Sequence, residues 1–599
     1  MEDHERGREA FASEEEYRLH ALRHSTAHIM AEAIGVVFPG ARFAIGPATK
    51  DGFFYDVDVP RSITPEDLAR IEEEMKRVVK RNSPFEKKVV TRDEAVALFG
   101  AAGQDFKVER ISLLEEAAEI SIYDHGGFVD LCRGPHTPRT GNCKHFKLLK
   151  ISGAYLYGDS ANKQLQRVYG TVWPTKEALD QYLFRLEEAK KRDHRRLGTQ
   201  LGLFMFHDYA PGAAFWLPKG EDLYHTLSEA MRTLLKDEGY VPVRTPMVFD
   251  KALWETSGHW AHYQENMYHF AEGHHHEGAS DEEDDSRILG LKPMNCPSHM
   301  LIFGSQRRSY RELPLRIHDQ GVLHRNEVRG ALGGLTRVRQ FCQDDAHIFC
   351  THEQIQSEVA DLLNLVRRVY ECFGLGFQAK LSTRPQDHLG SVALWDQAEE
   401  SLEAALKQAG LEYKVNVGDG AFYGPKIDFD VLDALGRDWQ CATIQLDFQI
   451  PQRFELRYIG ADNAEHAPVV IHRAIFGSFE RFIGILIEHY AGAFPLWLSP
   501  EHVRVMTVSE KSLSHGLAVR AALKAAGVKV TFNNNDDKIG KKIREGIGDK
   551  VPYMAIIGEQ ELESGGVAVR SRDHGELGAM SVEDFITRLR AEARVPFSA

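Results

Sequence analysis

The sequence predicts a multidomain α+β protein, and three observations carry that prediction. The chain has 599 residues, enough for roughly three to five domains of about 100–200 residues each. Its first third and its long middle both mix amphipathic helices with short, alternating strand-like runs. From residue 501 onward the pattern changes to regularly alternating β and α elements, which marks a separate domain of about 100 residues.

The first helix opens at Ser13 with Glu16 at capping-box spacing, then continues through Ile29, Met30 and Ile34. Inside it, HSTAHIM places His24 and His28 four apart, so both imidazoles share one helix face. A metalloprotease helix has this spacing, but with a glutamate where Ser25 stands. The pair is therefore a metal site without its base, a different active site, or two ordinary helix histidines. ARFAIGP and DGFFYDVDV follow as strands, and TPEDLARIEEEMKRVVKR (64–81) as an amphipathic helix capped by a threonine. DEAVALFG and SLLEEAAEI are expected to be helices. SIYDHGGFVDLCRGPHTPRTG is a strand leading into a Gly/Pro-rich loop. This α+β region ends near residue 175, and TKEALDQYLFRLEEAKKRDHRRLG is expected to run onward as one long helix. The expected domain boundaries are 1–185, a linker helix over 186–203, a large central domain over 204–498, and a final domain over 499–599.

Composition excludes several classes. Hydrophobic content of 43% and charged content of 27% are those of a soluble globular protein. No run of about 18 uncharged apolar residues is present, so no membrane span is expected. The charged start MEDHERGREAFASEEEYR is neither a signal nor a transit peptide. Seven scattered cysteines point to a reduced, cytoplasmic protein whose functional cysteines are ligands or nucleophiles. A net charge of −15 disfavours indiscriminate nucleic-acid binding, yet local basic surfaces such as EEAKKRDHRR (187–196) still suit phosphates. The block AEGHHHEGASDEEDDSR (271–287) reads as a solvated insertion. Neither GxxxxGK[ST] nor a GxGxxG strand–helix fingerprint occurs, so ATP use requires another architecture.

Three central segments carry chemistry. KPMNCPSHM sets Cys296 between prolines. HRNEVRGALGGLTRVRQFCQDDAHIF (324–349) arranges Arg325, Glu327, Arg337 and Arg339 around a glycine-rich turn, flanked by strands of an antiparallel hairpin. VVIHRAIFGSFERFIGILIEHY (469–490) runs as a strand through Gly477 into a helix bearing Arg481. Fixed arginines suit a triphosphate, because guanidinium groups contact it bidentately and keep their charge. Phe341 offers an aromatic face to a base, with Arg481 stacking opposite.

These segments resemble motifs 2 and 3 of class II aminoacyl-tRNA synthetases, and GAAFWLPKG…VPVRTPMV (212–248), with Pro246, resembles motif 1. KPMNCPSHM, QDDAHIF and VIHRAIFGSFERF are similar, more narrowly, to the threonyl-tRNA synthetases, over nearly the whole chain from about residue 14. The resemblance implies an antiparallel-sheet catalytic core, an α+β editing domain and an α/β anticodon-binding domain. Cys296, His347 and His472 would ligate one zinc ion per chain; one thiolate and two imidazoles suit zinc and leave a position for substrate. Zinc would bind the threonine hydroxyl and amino groups, expanding to five-coordinate. Asp345 would hold the hydroxyl, with Met294, Gln343, Tyr423 and Gln445 lining the pocket. Arg325 would bridge the α-phosphate and the substrate carboxylate, and Arg325 and Arg481 would be the catalytic arginines. Glu327 would accept from the adenine amino group, Arg337 and Arg481 would hold the γ-phosphate, Phe341 and Arg481 would sandwich the adenine, and Gln440 would touch the nucleotide. Mg²⁺ would accompany ATP. The implied partners are tRNA(Thr), ATP and L-threonine, with a homodimer and no membrane. In the motif 2 loop, Arg329 and Gly333 stand where other family loops differ.

Such a site rejects valine, but serine lacks only one methyl, worth roughly 1–3 kcal/mol or about 10–200-fold. A second, hydrolytic site is therefore a physical requirement. HSTAH pairs with DLCRGPH (130–136) to give His24, His28, Cys132 and His136, which resembles the editing domain of threonyl- and alanyl-type synthetases. Lys107, Asp130 and Tyr55 would lie near the ester. Metal-free hydrolysis of Ser-tRNA and a zinc-loaded quartet both remain open; a closed four-ligand set would leave no vacancy for water. In the last domain, Lys538, Arg544, Glu561 and Arg570 match anticodon-reading positions, and Asp536 falls where an amide is more usual. The family usually begins with a small ubiquitin-like domain, and the short charged start is expected to lack it. Two rival functions stand beside the ligase: a deacylase acting in trans, and a non-catalytic RNA-binding regulator.

Overall fold

The computed structural model describes residues 13–159, 162–272 and 287–597, together with Arg8 and Phe11. Of the acidic, His-rich block, only Ala271, Glu272 and Arg287 are among them, so its reading as an insertion lies outside the described residues. The chain divides into two compact units, Met1–Glu187 and Glu188–Ala599.

In the first unit, helix Glu14–Val37 begins where Ser13 Oγ accepts from the Glu16 backbone N–H at 3.1 Å. Its buried residues Ala27, Met30 and Ile34 share a core with Ile71, Met75 and Val78 of helix Pro65–Arg81. Both helices bury against an antiparallel sheet ordered Arg42–Phe43, Gly52–Asp58, Gln164–Trp173, His145–Tyr155. A smaller sheet joins Glu86–Val90, Ile120–Asp124 and Val129–Leu131, packed on helices Arg92–Ala101 and Asp105–Ser112.

Two local expectations fail. SLLEEAAEI is not a helix: the helical residues lie just before it, over Asp105–Ser112. Leu113 closes that helix and is exposed, while Ile111 and Ile120 take the buried positions on either side of a turn. Ile120 then pairs with Val90 as a strand residue. The long linker helix is also two helices, Lys176–Arg192 and His194–Gln200. Asp193 adopts φ −47°, ψ 120°, and its carboxylate accepts from the backbone N–H groups of Arg195 and Arg196. An aspartate that caps a new helix ends the old one.

The second unit is built on an eight-stranded sheet. Its order is Val241–Pro242, Leu315–Asp319, Asp345–Cys350, Val469–Ala474, Asp438–Asp447, Lys426–Leu432, Gly376–Ser382, Tyr413–Asn416. It is antiparallel except for one parallel pairing at each edge. The period-2 alternation of strands sorts its residues. Ala346, Ile348, Val469, Ile471, Ile444 and Leu446 pack into one large core with helices Pro218–Asp237, Ile355–Cys372, Val392–Gln408 and Phe479–His489. The intervening residues Asp345, His347, His472, Gln445 and Asp447 therefore point to the other face.

The C-terminal sheet is ordered Val530–Asn533, Val503–Thr507, Tyr553–Ile557, Val567–Ser571, Gly575–Met580. Its first three strands are parallel and its last two antiparallel. The chain then returns to the large core, where Phe597 packs on Trp497 and Phe373.

Candidate functional site

Strand register builds the central site. His347 lies directly opposite His472, His472 opposite Gln445, and Gln445 opposite Lys426, so four adjacent strands deliver one row of polar side chains. Cys296 starts helix Cys296–Gly304 and reaches the same place. One ligand atom from each of Cys296, His347 and His472 lies within 4.8 Å of the others, and all three residues are buried. Burial pushes the Cys296 thiol well above its ordinary range and the His347 imidazole well below its own. A cation between them would reverse the cost of the thiolate.

The outer nitrogens are already engaged. His472 Nε2 sits 2.9 Å from Asp447 Oδ2, and His347 Nδ1 sits 2.8 Å from His299 Nδ1. Metal-binding histidines characteristically spend their second nitrogen this way, leaving the first for the ion. The donor set therefore fits zinc.

A cavity of about 380 Å³ opens beside this cluster. Met294, Cys296, Arg325, Gln343, Asp345, His347, Tyr423, Gln440, Gln445 and His472 all line it. Asp345 Oδ2 accepts from Asn295 Nδ2 at 3.0 Å, and burial lifts its carboxyl to about 6. The Tyr423 hydroxyl donates to Gln445 Oε1 at 2.6 Å, and Gln440 Nε2 donates to Asp428 Oδ1 at 2.8 Å. The remaining nucleotide candidates lie off the lining. The Arg325 guanidinium stands 5.0 Å above the centre of the Phe341 ring, which is buried. Arg337 Nε and Glu327 Oε2 are 3.3 Å apart, so these two groups engage each other. Arg481 carries a buried Nε–H with no hydrogen-bond partner among the described residues, a donor poised for an acceptor.

Sequence reasoning missed four residues here: Asn295, His299, Asp447 and His259. His259 Nε2 lies 3.1 Å from Met294 Sδ and 3.7 Å from Cys296 Sγ. Each acts on a predicted residue from a neighbouring strand or helix, and no spacing in the sequence reveals that.

The editing candidates of the first unit also converge. His24, His28, Tyr55, Lys107, Asp130 and Cys132 line a cavity of about 130 Å³. Cys132 Sγ lies 3.3 Å from His24 Nε2 and 3.2 Å from His136 Nε2, and the His24 and His136 rings stack at 4.5 Å. The four ligand atoms of His24, His28, Cys132 and His136 all fall within 4.8 Å of one another. Burial raises the Cys132 thiol to about 12 and lowers His28 and His136 well below the usual imidazole range. Lys107 Nζ donates to Asp130 Oδ1 at 2.6 Å and to the Tyr55 hydroxyl at 2.9 Å, so the lysine is buried but paired.

In the C-terminal sheet region Lys538 and Arg544 are exposed on and beside helix Ile539–Gly548. Arg570 pairs with Glu576 at 3.1 Å, and Glu561 caps its own helix by accepting from Gly558 N–H at 2.9 Å. Among the described residues no helix is long and apolar enough to cross a membrane.

Three family models match segments of the chain. The tRNA synthetase class II core domain (G, H, P, S and T) matches residues 277–490, and the anticodon binding domain matches 502–592. The threonyl and alanyl tRNA synthetase second additional domain matches 120–169. The threonine--tRNA ligase of Myxococcus xanthus is 50% identical over 580 residues, covering 96% of this chain and 89% of its own length. That of Carboxydothermus hydrogenoformans is 50% identical over 573 residues, covering 96% and 88%. Among solved structures, the RNA binding domain of threonyl-tRNA synthetase from Cryptosporidium parvum Iowa II aligns with TM-score 0.63 and 44% identity, over 67% of this chain and 98% of that one. A Giardia lamblia prolyl-tRNA synthetase in complex with prolyl-adenylate aligns with TM-score 0.51 and 18% identity, over 68% and 81%, a likeness of fold alone.

Proposed function

The chain belongs to the threonine--tRNA ligase family, and from that premise we propose how its own residues perform the reaction. It activates threonine with ATP to threonyl-adenylate, transfers it to tRNA(Thr), and removes serine from mischarged tRNA in the first unit. The single observation that carries the central assignment is the row Cys296, His347, His472, buried on one sheet face with its outer nitrogens engaged.

Those three residues hold one zinc ion per chain, with Mg²⁺ accompanying ATP. When bound, zinc supplies a Lewis acid for the amino and hydroxyl groups of the substrate. Asp345, fixed by Asn295, accepts from the threonine hydroxyl. Valine leaves that carboxyl unpaired in a dry site, and an unpaired buried polar group discriminates far more strongly than a missing methyl. Tyr423 and Gln445 wall the methyl pocket as a hydrogen-bonded pair. Arg325, Arg337 and Arg481 neutralise the triphosphate during in-line displacement, so catalysis is positioning and charge compensation. The mutual pair of Glu327 and Arg337 parts when adenine and γ-phosphate take its place.

In the first unit, His24 and Lys107 position a water and the ester, with Lys107 held in place by Asp130. A closed set of His24, His28, Cys132 and His136 around a metal would leave no vacancy for water, which favours hydrolysis without metal. The N-terminal unit is the editing domain, residues 204–498 the catalytic domain and 499–599 the anticodon reader, through Lys538, Arg544, Glu561 and Arg570. The protein is a cytoplasmic homodimer through its motif 1 surface.

Threonine-dependent exchange of pyrophosphate into ATP, measured on the zinc-loaded full chain, tests the ligase reading. Robust exchange supports it; its absence returns the field to the trans deacylase or the RNA-binding regulator.

A further inference from the structure

The break at Asp193 places His194 where two catalytic elements meet. His194 is buried, and its backbone N–H and both ring nitrogens are engaged. Its backbone N–H donates to Glu488 Oε1 at 3.0 Å, and ring Nδ1 lies 2.7 Å from the same oxygen. Ring Nε2 accepts from the Leu335 backbone N–H at 3.0 Å. An amide N–H can only donate, so Nε2 carries no proton and Nδ1–H donates to the carboxylate. The imidazole is thus a directional bridge from helix Phe479–His489 to the base of the glycine-rich loop.

Shape agrees with this bonding. Gly334 sits at φ +65°, and a Cβ there would come within 2.3 Å of His194 Nε2 and 2.7 Å of Arg195 Cγ. At Gly484, on the Phe479–His489 helix, a Cβ would lie 3.3 Å from Leu335 Cβ and 3.7 Å from His194 Cδ2. The loop and the helix approach this closely only because both positions lack side chains. Arg481, Gly484 and Glu488 follow one another at i, i+3 and i+7, a single helix face. Arg337 stands two residues after Leu335. Glu488 is held from its other side by Arg437, which Asp433 anchors in turn.

We propose that His194 is a positioning residue for ATP: it locks the loop bearing Arg337 against the helix face bearing Arg481, so that the two arginines meet the triphosphate together. The inference rests on the reading of Arg337 and Arg481 as triphosphate ligands.

Two near-isosteric substitutions separate the two ring bonds. Asn reproduces Nδ1, so His194→Asn keeps a donor toward Glu488 and orphans the Leu335 N–H. Gln reproduces Nε2, so His194→Gln keeps the acceptor for Leu335. Pyrophosphate exchange on the full chain should show KM for ATP raised about 10-fold in His194→Asn, because the released loop no longer holds Arg337 in place for the triphosphate. KM for threonine should stay within about twofold in both variants, and His194→Gln should keep KM for ATP within about threefold. Equal effects of the two variants, or a lowered melting temperature with KM for ATP unchanged, would overturn the proposal. Should His194→Asn fail to fold, Gly334→Ala presses on the same contact from the loop side and should raise KM for ATP selectively; no rise refutes the coupling. Arg337→Ala serves as the reference. If it raises KM for ATP and His194→Asn does not, the inference fails while the ATP site stands. If neither does, the ATP-site reading fails and takes the inference with it.

Discussion

Replacing Glu480 by glutamine should stabilise the second unit at alkaline pH and leave it unchanged in acid. Glu480 is fully enclosed where three segments meet: its carboxylate accepts from the Cys342 N–H at 2.9 Å and lies 3.4 Å from the Tyr224 hydroxyl. Burial lifts its pKa from 4.5 to about 7. A carboxyl with a raised folded pKa binds its proton more tightly in the native state, so stability is greatest below the unfolded value. It falls as pH rises from about 4.5 and is fully lost once pH passes about 7. The difference, (7 − 4.5) × 1.36, amounts to about 3 kcal/mol. Glutamine keeps an acceptor for Cys342 and a donor for Tyr224 without the titration. Urea midpoints followed by tryptophan fluorescence at pH 4, 7 and 8.5 should show the variant level with the parent at pH 4. At pH 8.5 it should be ahead by about 2–3 kcal/mol. A constant difference across pH, or a variant weaker at pH 8.5, would show that the Glu480 titration does not set this stability.

Other outcomes follow from the same geometry. Arg473, wholly buried on Asp344, should be replaceable by methionine only at about 3–5 kcal/mol, because the carboxylate is left unpaired; thermal unfolding that barely moves would contradict this. His24→Ala should leave threonine-dependent exchange intact while Ser-tRNA accumulates in a deacylation assay, and unchanged Ser-tRNA hydrolysis would sink the editing role. In exchange assays serine should be activated about 10–200-fold less efficiently than threonine, and valine far less still; valine matching serine would show that Asp345 does not read the hydroxyl.

Much of this was legible because chemistry in this chain travels in short unusual strings. Polar residues such as His347 and His472 interrupt strands that are otherwise apolar, and period-2 alternation already assigns them to one face. The glycine-rich loop and its arginines were legible for the same reason. What escaped was whatever depends on register between distant strands. Asp447 meets His472, and His299 meets His347, only because the sheet and one helix bring them together. The pairing of Glu327 with Arg337 is likewise hidden, since their spacing around the glycine-rich turn suits nucleotide contacts equally well. The helix errors have a different cause. Charged, leucine-rich SLLEEAAEI has good helix propensity, and tertiary pairing of Ile120 with Val90 overrides it. KKRDHRR reads as continuous helix because an aspartate cap inside a charged run leaves no hydrophobic trace.

Where the metal sits decides between the two His/Cys clusters, and a metal count per chain tests it. Purified protein should hold one zinc, lost in Cys296→Ser together with threonine activation and retained in Cys132→Ser. Two zinc ions per chain, or a single zinc that leaves with Cys132 and not with Cys296, would contradict it.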